Sequence, residues 1–371
     1  MLNIYQRFRD SSTFEVGKLL GKGSFGEVRE IKLQNKILAG KLVKRKINNK
    51  ISEEEKVGIE LRGKNIIKIN KIYTKNIDGN VYDLIIMEKA ILRDLGKFNE
   101  FYHNHNLLKI IYQPFDEKTG DNLLRFFCKQ IVNGLEILER SDYIHYDIKP
   151  ENLLITINLI IKLSDFSLIS KAIDGNNIAI PGGTQGYLTP EYYEKLPVSC
   201  DTAKKQDYFA LGSTLFCLKF GEPMLKYKSS DKKILNADKI IEMLQRKFGD
   251  IKSQKLSDKG FIEFLCSLIQ YKPKDRPLFE KIYRNKWLNK DNDKINTVFS
   301  AFENDEEKLI MELQKLDFLI KKEKEHMNNS YNLKEKQKEF KNSFVERKNQ
   351  SNKNTYHRLR FRFIKKKINF I

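Results

Sequence analysis

The chain is poor in cysteine, in long apolar runs and in acidic residues. Only four of its 371 residues are cysteine, Cys128, Cys200, Cys217 and Cys266, spaced too widely for a close metal-ligand pair. Cys128, Cys217 and Cys266 sit among apolar residues, so buried free thiols in a reducing compartment are expected. No apolar run approaches the roughly 20 residues that span a bilayer, and the polar start from Met1 to Ser12 lacks a signal-peptide core. The expectation is a chain with no transmembrane segment in the cytoplasm, with the nucleus also open to it. Asp and Glu number 49 against 69 Lys and Arg, leaving a net charge of +20. Half of that excess sits in residues 331–371, which hold 13 basic and 3 acidic side chains.

At 40% hydrophobic and 32% charged, the chain has enough apolar residues for one large or two modest domains. Residues 14–89 read as short strands around one helix. Phe14–Leu20, Val28–Leu33 and Ile37–Val43 are separated by Gly-rich or Asn/Lys turns, and Asp78-Gly79-Asn80 divides 69–75 from 81–88 as a hairpin turn would. Ser52-Glu53-Glu54-Glu55 looks like a helix start, with a capping serine and acids in the first turn. From Ile91 the periodicity becomes helical. Leu123, Phe126, Phe127, Ile131, Leu135 and Leu138 form one face, and 208–218, 240–248 and 261–269 repeat the pattern. Residues 98–118, with Pro114, read as a surface insertion. Leu309, Leu313, Leu316 and Ile320 mark an amphipathic helix too short for a coiled coil.

The densest signal is His145-Tyr146-Asp147-Ile148-Lys149-Pro150-Glu151-Asn152, followed by Ser164-Asp165-Phe166. One carboxylate to take a hydroxyl proton, one cation, and an amide with a second carboxylate for Mg²⁺ are what phosphoryl transfer from a metal-bound nucleotide needs. Upstream stand Leu20-Gly21-Lys22-Gly23-Ser24-Phe25-Gly26-Glu27-Val28 and Ala39-Gly40-Lys41. Downstream come Gly183-Thr184, Leu188-Thr189-Pro190-Glu191, Asp207 with Gly212, and Asp275-Arg276-Pro277. In this order the motifs resemble those of eukaryotic protein kinases of the serine/threonine type, over about residues 14–288. A lone G-x-G-x-x-G also serves dinucleotide-binding folds, but there it opens a helix, whereas Glu27–Leu33 alternates like a strand.

The resemblance implies an α+β, bilobal protein-kinase fold, with a small β-sheet lobe carrying one main helix and a larger, mainly helical lobe. The expected divisions are an N-terminal extension (1–13), small lobe (14–90), large lobe (91–288) and C-terminal extension (289–371). It further implies ATP and Mg²⁺ as cofactors and Ser/Thr hydroxyls of proteins as acceptors. Gly21, Lys22, Gly23, Ser24, Phe25 and Gly26 would close over the triphosphate, Val28 and Ala39 would flank adenine, and Lys41 would contact phosphates while pairing with Glu54. Met87 would stand as gatekeeper, with the backbones of Glu88 and Ala90 on the adenine edge. Asp147 would be the catalytic carboxylate and Lys149 the cation on the moving phosphoryl group. Asn152 and Asp165 would hold the metal. Lys149 with Thr184 accompanies Ser/Thr specificity in such kinases, and Glu191 with Arg276 would form a buried ion pair.

Three positions depart from the pattern. Tyr146 replaces the arginine that ordinarily receives an activation-loop phosphate, and the only hydroxyl side chains between Asp165 and Thr184 are Ser167 and Ser170. Activity without phosphorylation of that loop is therefore expected. Ser167 replaces a glycine, which favours the metal-binding conformation because serine resists positive φ. Gly58 stands where a large apolar residue would stack, so the expectation is either a shifted helix, with Val57 or Ile59 in that role, or a brace from elsewhere. The same three residues motivate the alternative of a pseudokinase or scaffold that binds nucleotide without transfer. Arg358, Arg360 and Arg362 alternate with Leu359, Phe361 and Phe363 in the tail, a pattern suited to an anionic membrane surface, nucleic acid or an acidic partner. A solvated tail is also compatible with it, as is docking in the substrate cleft. Nothing in the sequence bears on oligomeric state.

Overall fold

A computed structural model describes residues 2–9, 14–23, 26–45, 57–58, 60–90, 94–98, 117–156, 159–172, 179–196, 198–224, 242 and 259–290. The chain divides into two units, Met1–Asn304 and Asp305–Ile371, and every described residue lies in the first. Nearly all of the expected helix at 240–248 and of the insertion at 98–118, and all of the expected helix at 309–320 and the basic tail, fall outside the described residues.

An antiparallel five-stranded sheet opens the domain, in the order β1-β2-β3-β5-β4. Its strands are β1 (Phe14–Gly23), β2 (Gly26–Leu33), β3 (Lys36–Lys44), β4 (Ile69–Ile77) and β5 (Asn80–Met87). The β4–β5 connection is a two-residue turn in which Asp78 and Gly79 take φ of 51° and 76°. Such primed turns match the twist of the strands they join. In β3 every residue from Leu38 to Leu42 is buried, so this strand is covered on both faces. Part of the cover is α1 (Leu2–Arg9), whose Tyr5 and Phe8 join Ile31, Leu38, Leu42, Leu84 and Ile86 in one apolar cluster. The polar start of the sequence thus contains a helix packed into the small-lobe core.

The large lobe is built around α2 (Glu117–Arg140) and α5 (Lys205–Phe220). Leu123, Phe127, Ile131, Leu135 and Leu138 of α2 are buried, which is the face expected from their spacing. Between these helices lie two-stranded sheets of β6 (Tyr143–Ile144) with β9 (Ser170–Lys171) and of β7 (Leu153–Ile155) with β8 (Ile161–Leu163). The short helices α3 (Pro190–Glu194) and α4 (Cys200–Ala203) precede α5, and α6 (Lys259–Leu268) and α7 (Phe279–Tyr283) follow it. Trp287 packs its ring 5.2 Å from Phe261 and 5.4 Å from Phe264. All four cysteines are free; Cys128 is fully buried, whereas Cys217 and Cys266 are only partly so.

The lobes are joined by backbone. Ile67 N donates to Leu163 O and Leu163 N to Asn65 O, each at 2.9 Å, and the Asn65 amide reaches Ile161 O. Lys162 adds an ion pair to Glu88 at 2.9 Å.

Val57, Gly58 and Glu60 are helical, and the helix register places Gly58 against β4. A Cβ there would lie 3.0 Å from the Ile69 Cβ, so the Ile69 side chain occupies the space a larger residue at 58 would need. Val57 is also buried. The gap expected from the sequence is filled from the neighbouring strand.

Candidate active site

The loop after β6 is fixed from beneath. The Asp207 carboxylate accepts the backbone N–H groups of His145 at 2.7 Å and Tyr146 at 2.9 Å. Burial pushes the Asp207 carboxyl up to about 7, against these two donors, which favour its anion. His145 accepts the Asp147 N–H on Nδ1 at 3.3 Å, and its Nε2 lies 3.1 Å from Ser164 O. That pattern requires a neutral ring with its proton on Nε2. Burial gives the same result, holding the imidazole below its ordinary pKa despite the Asp147 and Asp165 carboxylates.

On this base the polar side chains converge. Asp147, 3% exposed, accepts Lys149 Nζ on Oδ2 at 2.6 Å and the Thr184 hydroxyl on Oδ1 at 2.7 Å. Lys149 Nζ also reaches Thr184 Oγ1 at 2.5 Å, closing a three-membered ring of contacts. The Asn152 amide nitrogen donates to Asp147 Oδ2 at 2.9 Å and to its carbonyl at 2.8 Å. Its Nδ2 is thereby committed, leaving Oδ1 as the acceptor able to face a cation. Lys149 and Thr184, 35 positions apart in sequence, come together because the backbone brings Gly183-Thr184 over Tyr146.

Across from this ring, Lys41 of β3 donates to Asp165 Oδ1 at 2.8 Å. Asp165 adopts φ 62° and ψ 71°, a left-handed conformation costly for a residue with a Cβ and concentrated at functional sites. Burial alone would raise its carboxyl, but the Lys41 ammonium and the Ser167 hydroxyl hold it below the ordinary carboxylate range. Phe166 is buried with its ring 5.3 Å from that of His145. Ser167 lies in a short 3₁₀ turn, Phe166–Leu168, and does not take positive φ, so serine is unstrained there.

The glycine-rich segment forms the β1–β2 hairpin, in which Gly21 pairs with Val28, Lys22 with Glu27 and Gly23 with Gly26. At Gly26, φ is 147° and a Cβ would meet Leu42 O at 2.2 Å, so only glycine fits. At Gly21 a Cβ would meet nothing within 4 Å, so packing within the protein does not explain that glycine. Ser24, Phe25 and Glu54 lie outside the described residues. Ala39 pairs with Met87 across β3 and β5. Glu88 donates its N–H to Lys68 O at 2.9 Å, and Ala90 follows two residues on.

Two further features matter. Glu191 and Arg276 form a bidentate pair at 2.8 and 2.7 Å, both essentially inaccessible to solvent, and the guanidinium carbon lies 4.9 Å from the Phe209 ring centre. Sequence reasoning missed a second tie. Glu60, at the end of the small-lobe helix, accepts the Tyr143 hydroxyl at 2.7 Å and pairs with Lys171 of β9 at 3.0 Å. Tyr146 is buried among Ile144, Ala172, Val198 and Ala203. Its hydroxyl makes no hydrogen bond of ordinary geometry among the described residues, with Ser170 beside it.

No group of three or more His, Cys, Asp or Glu able to hold a metal occurs among the described residues. A site of one carboxylate and one amide completed by phosphate oxygens fits the small hard cations that accompany nucleotides.

Comparison with known proteins agrees with this geometry. The family model described as the protein kinase domain matches residues 14–288. The serine/threonine-protein kinase plk-1 of Caenorhabditis elegans is 30% identical over 230 residues, covering 60% of this chain and 32% of that protein. An Aurora kinase of Schizosaccharomyces pombe is 29% identical over 289 residues, covering 74% of this chain and 71% of its own. The human serine/threonine-protein kinase MRCK alpha is 26% identical over 218 residues, covering 56% of this chain and 12% of its own. The chain therefore spans about a third of the first of these relatives and about an eighth of the last. With the family match covering well over half of its length and the motif residues assembled as described, the chain belongs to the protein kinase superfamily.

Proposed function

We propose that this protein transfers the γ-phosphate of Mg-ATP to Ser or Thr hydroxyls of protein substrates and needs no phosphate on its activation segment to do so. The observation that carries the reading is the ring of Asp147, Lys149 and Thr184 with Asn152 beneath it, facing the Lys41–Asp165 pair. Asp147 presents a carboxylate oriented by three donors to the hydroxyl of an acceptor, from which it takes the proton. Lys149 balances charge beside it, and Thr184 holds both in register. Asp165 and the Asn152 Oδ1 would hold Mg²⁺, which supplies neutralisation of the phosphate oxygens when bound. Lys41 orients the phosphates from the sheet side. Gly21, Lys22, Gly23, Ser24, Phe25 and Gly26 would cover them, and Val28, Ala39, Met87, Glu88 and Ala90 would frame the base, with Glu54, outside the described residues, expected as a second partner of Lys41.

Independence from activation-segment phosphorylation rests on Tyr146 and Glu60. An apolar plug occupies the position where a guanidinium would receive phosphate. The tie from Glu60 to Tyr143 and Lys171 already joins the small-lobe helix to β9 without one. No described helix is long and apolar enough to cross a membrane. We place the protein's work in the cytoplasm, with the nucleus also open to it, and the basic tail on an anionic membrane surface, nucleic acid or an acidic partner.

Phosphoryl transfer is tested by following labelled γ-phosphate onto a generic basic protein. Asp147→Asn and Lys41→Met should each reduce the rate by about 10²-fold or more while retaining the fold. Phosphate-free protein, verified by mass spectrometry, should be active without an upstream kinase. The competing reading, a nucleotide-binding scaffold, drew on Tyr146, Ser167 and Gly58. Ser167 takes no positive φ and the space beside Gly58 is filled, which supports the enzyme, while Tyr146 is packed but adopts φ 64°; wild-type protein no faster than Asp147→Asn would establish the scaffold.

A further inference from the structure

The helix α1 covers the face of the sheet that bears Ile31, Leu38, Leu42, Leu84 and Ile86. Because side chains alternate along a strand, Ala39 and Lys41 point to the opposite face. Tyr5 and Phe8, three apart, share one side of the helix, and both are essentially inaccessible to solvent. Burial of apolar surface accounts for Phe8. It does not account for the hydroxyl of Tyr5, which a phenylalanine would lack.

That hydroxyl lies 2.5 Å from Glu27 O and 2.8 Å from Gly40 O, one carbonyl from each of two paired strands. It has a single proton to share between them. Burial and the Glu27 carboxylate raise its pKa, so it remains a donor. Each carbonyl belongs to the peptide unit leading into a residue of the nucleotide site: Glu27 precedes Val28, and Gly40 precedes Lys41. Val28 and Lys41 are partners in register, so Tyr5 sits directly behind this pair. Glycine at 40 lets Ile31 and Leu84 pack closely on the same face, since a Cβ there would come within 2.5 Å of Ile31 Cγ1. The helix is held at its other end by Arg7, which pairs with Asp78 at 2.7 Å and accepts Lys75 Nζ on its carbonyl. The Arg29 guanidinium, 6.0 Å from the Tyr5 ring centre, bonds Glu27 Oε1 at 2.6 Å and Gly17 O at 3.3 Å, adding β1 to the same assembly.

We propose that Tyr5 is a positioning residue for the nucleotide: its hydroxyl fixes the β2 and β3 peptides that carry Val28 and Lys41, so triphosphate affinity depends on a helix on the far side of the sheet. The inference rests on the kinase reading of the site. The test uses the full chain as wild type, Tyr5→Phe and Phe8→Leu, with initial rates measured against Mg-ATP and against peptide in turn, and with melting temperatures. Tyr5→Phe keeps the ring in the core and removes only the hydroxyl. Its KM for ATP should rise about fivefold, the equivalent of one hydrogen bond, with the KM for peptide unchanged. Phe8→Leu should lower the melting temperature and leave the KM for ATP alone. An unaltered KM for ATP in Tyr5→Phe, or an equal rise in Phe8→Leu, would overturn the proposal by reducing α1 to general packing. Should the wild type transfer no phosphate, the transfer reading fails on its own. Calorimetric affinity of the same three proteins for Mg-ATP then decides the role of Tyr5, a weaker Tyr5→Phe supporting it and equal affinities rejecting it.

Discussion

A hydroxyl and an imidazole set the chemistry at the scale of single residues. Thr184 both donates to Asp147 and accepts from Lys149, so Thr184→Val, equal in shape, leaves both partners without it. The expected result is a kcat lower by about tenfold with the KM for ATP unchanged, read from steady-state kinetics. His145 gives a prediction in pH. Its folded pKa lies below the unfolded value, so the unfolded chain takes up the proton first. Its contribution is then complete above the unfolded pKa of about 6.5 and is lost as the pH falls from there through the lower folded pKa. Thermal melting between pH 8 and 5 should show this decline, and His145→Gln should flatten part of it; parallel curves would refute the assignment. Asp207, with its pKa pushed up to about 7, runs in the opposite sense, so the comparison of variants isolates the imidazole. The convergence of Asp147, Lys149 and Asn152 was legible in the sequence because one short loop carries all three at fixed offsets. Tyr5 and Glu60 were not legible. Their partners stand 22, 35 and 83 positions away, and no spacing rule links a tyrosine hydroxyl to a distant carbonyl or carboxylate.

Elements are held by a few polar contacts placed where apolar packing alone would leave register undefined. The Glu191–Arg276 pair joins α3 to the segment ahead of α7 and is wholly enclosed. Arg276→Gln should destabilise the protein by about 3–5 kcal/mol, because the surviving carboxylate is left without a counter-charge. Adding Glu191→Gln should restore part of that loss in denaturant titrations, whereas strictly additive effects would show that the two side chains do not act as a pair. Strand positions in the small lobe were readable from alternation and from the Asp-Gly turn. The burial of β3 on the face of Leu38 and Leu42 was not, because its cover includes α1, whose eight residues look polar in sequence. Gly58 gives the same lesson in reverse. Read alone it implied a missing side chain, and only the position of Ile69 on β4 shows the volume already taken.

Charge dominates at the scale of the whole molecule. Removal of residues 331–371 takes the net charge from +20 to +10. Binding to a polyanion is governed by counterion release, so the truncated protein should elute from heparin at a distinctly lower salt concentration, with its rate on a neutral peptide unchanged. Equal elution would show that the tail does not contribute to anion binding. The family and the two-lobed fold were available from the ordered motifs, since each motif answers to one step of handling a phosphate.

Tyr146 carries a last implication for control. A kinase switched on by a phosphate can be silenced by a phosphatase, which erases the mark. If, as proposed, the phenol embedded in hydrophobic surroundings at position 146 makes that phosphate unnecessary, there is nothing to erase. Cells would have to limit such an enzyme through synthesis, destruction, confinement or a blocking partner, and its output would track how much of it exists.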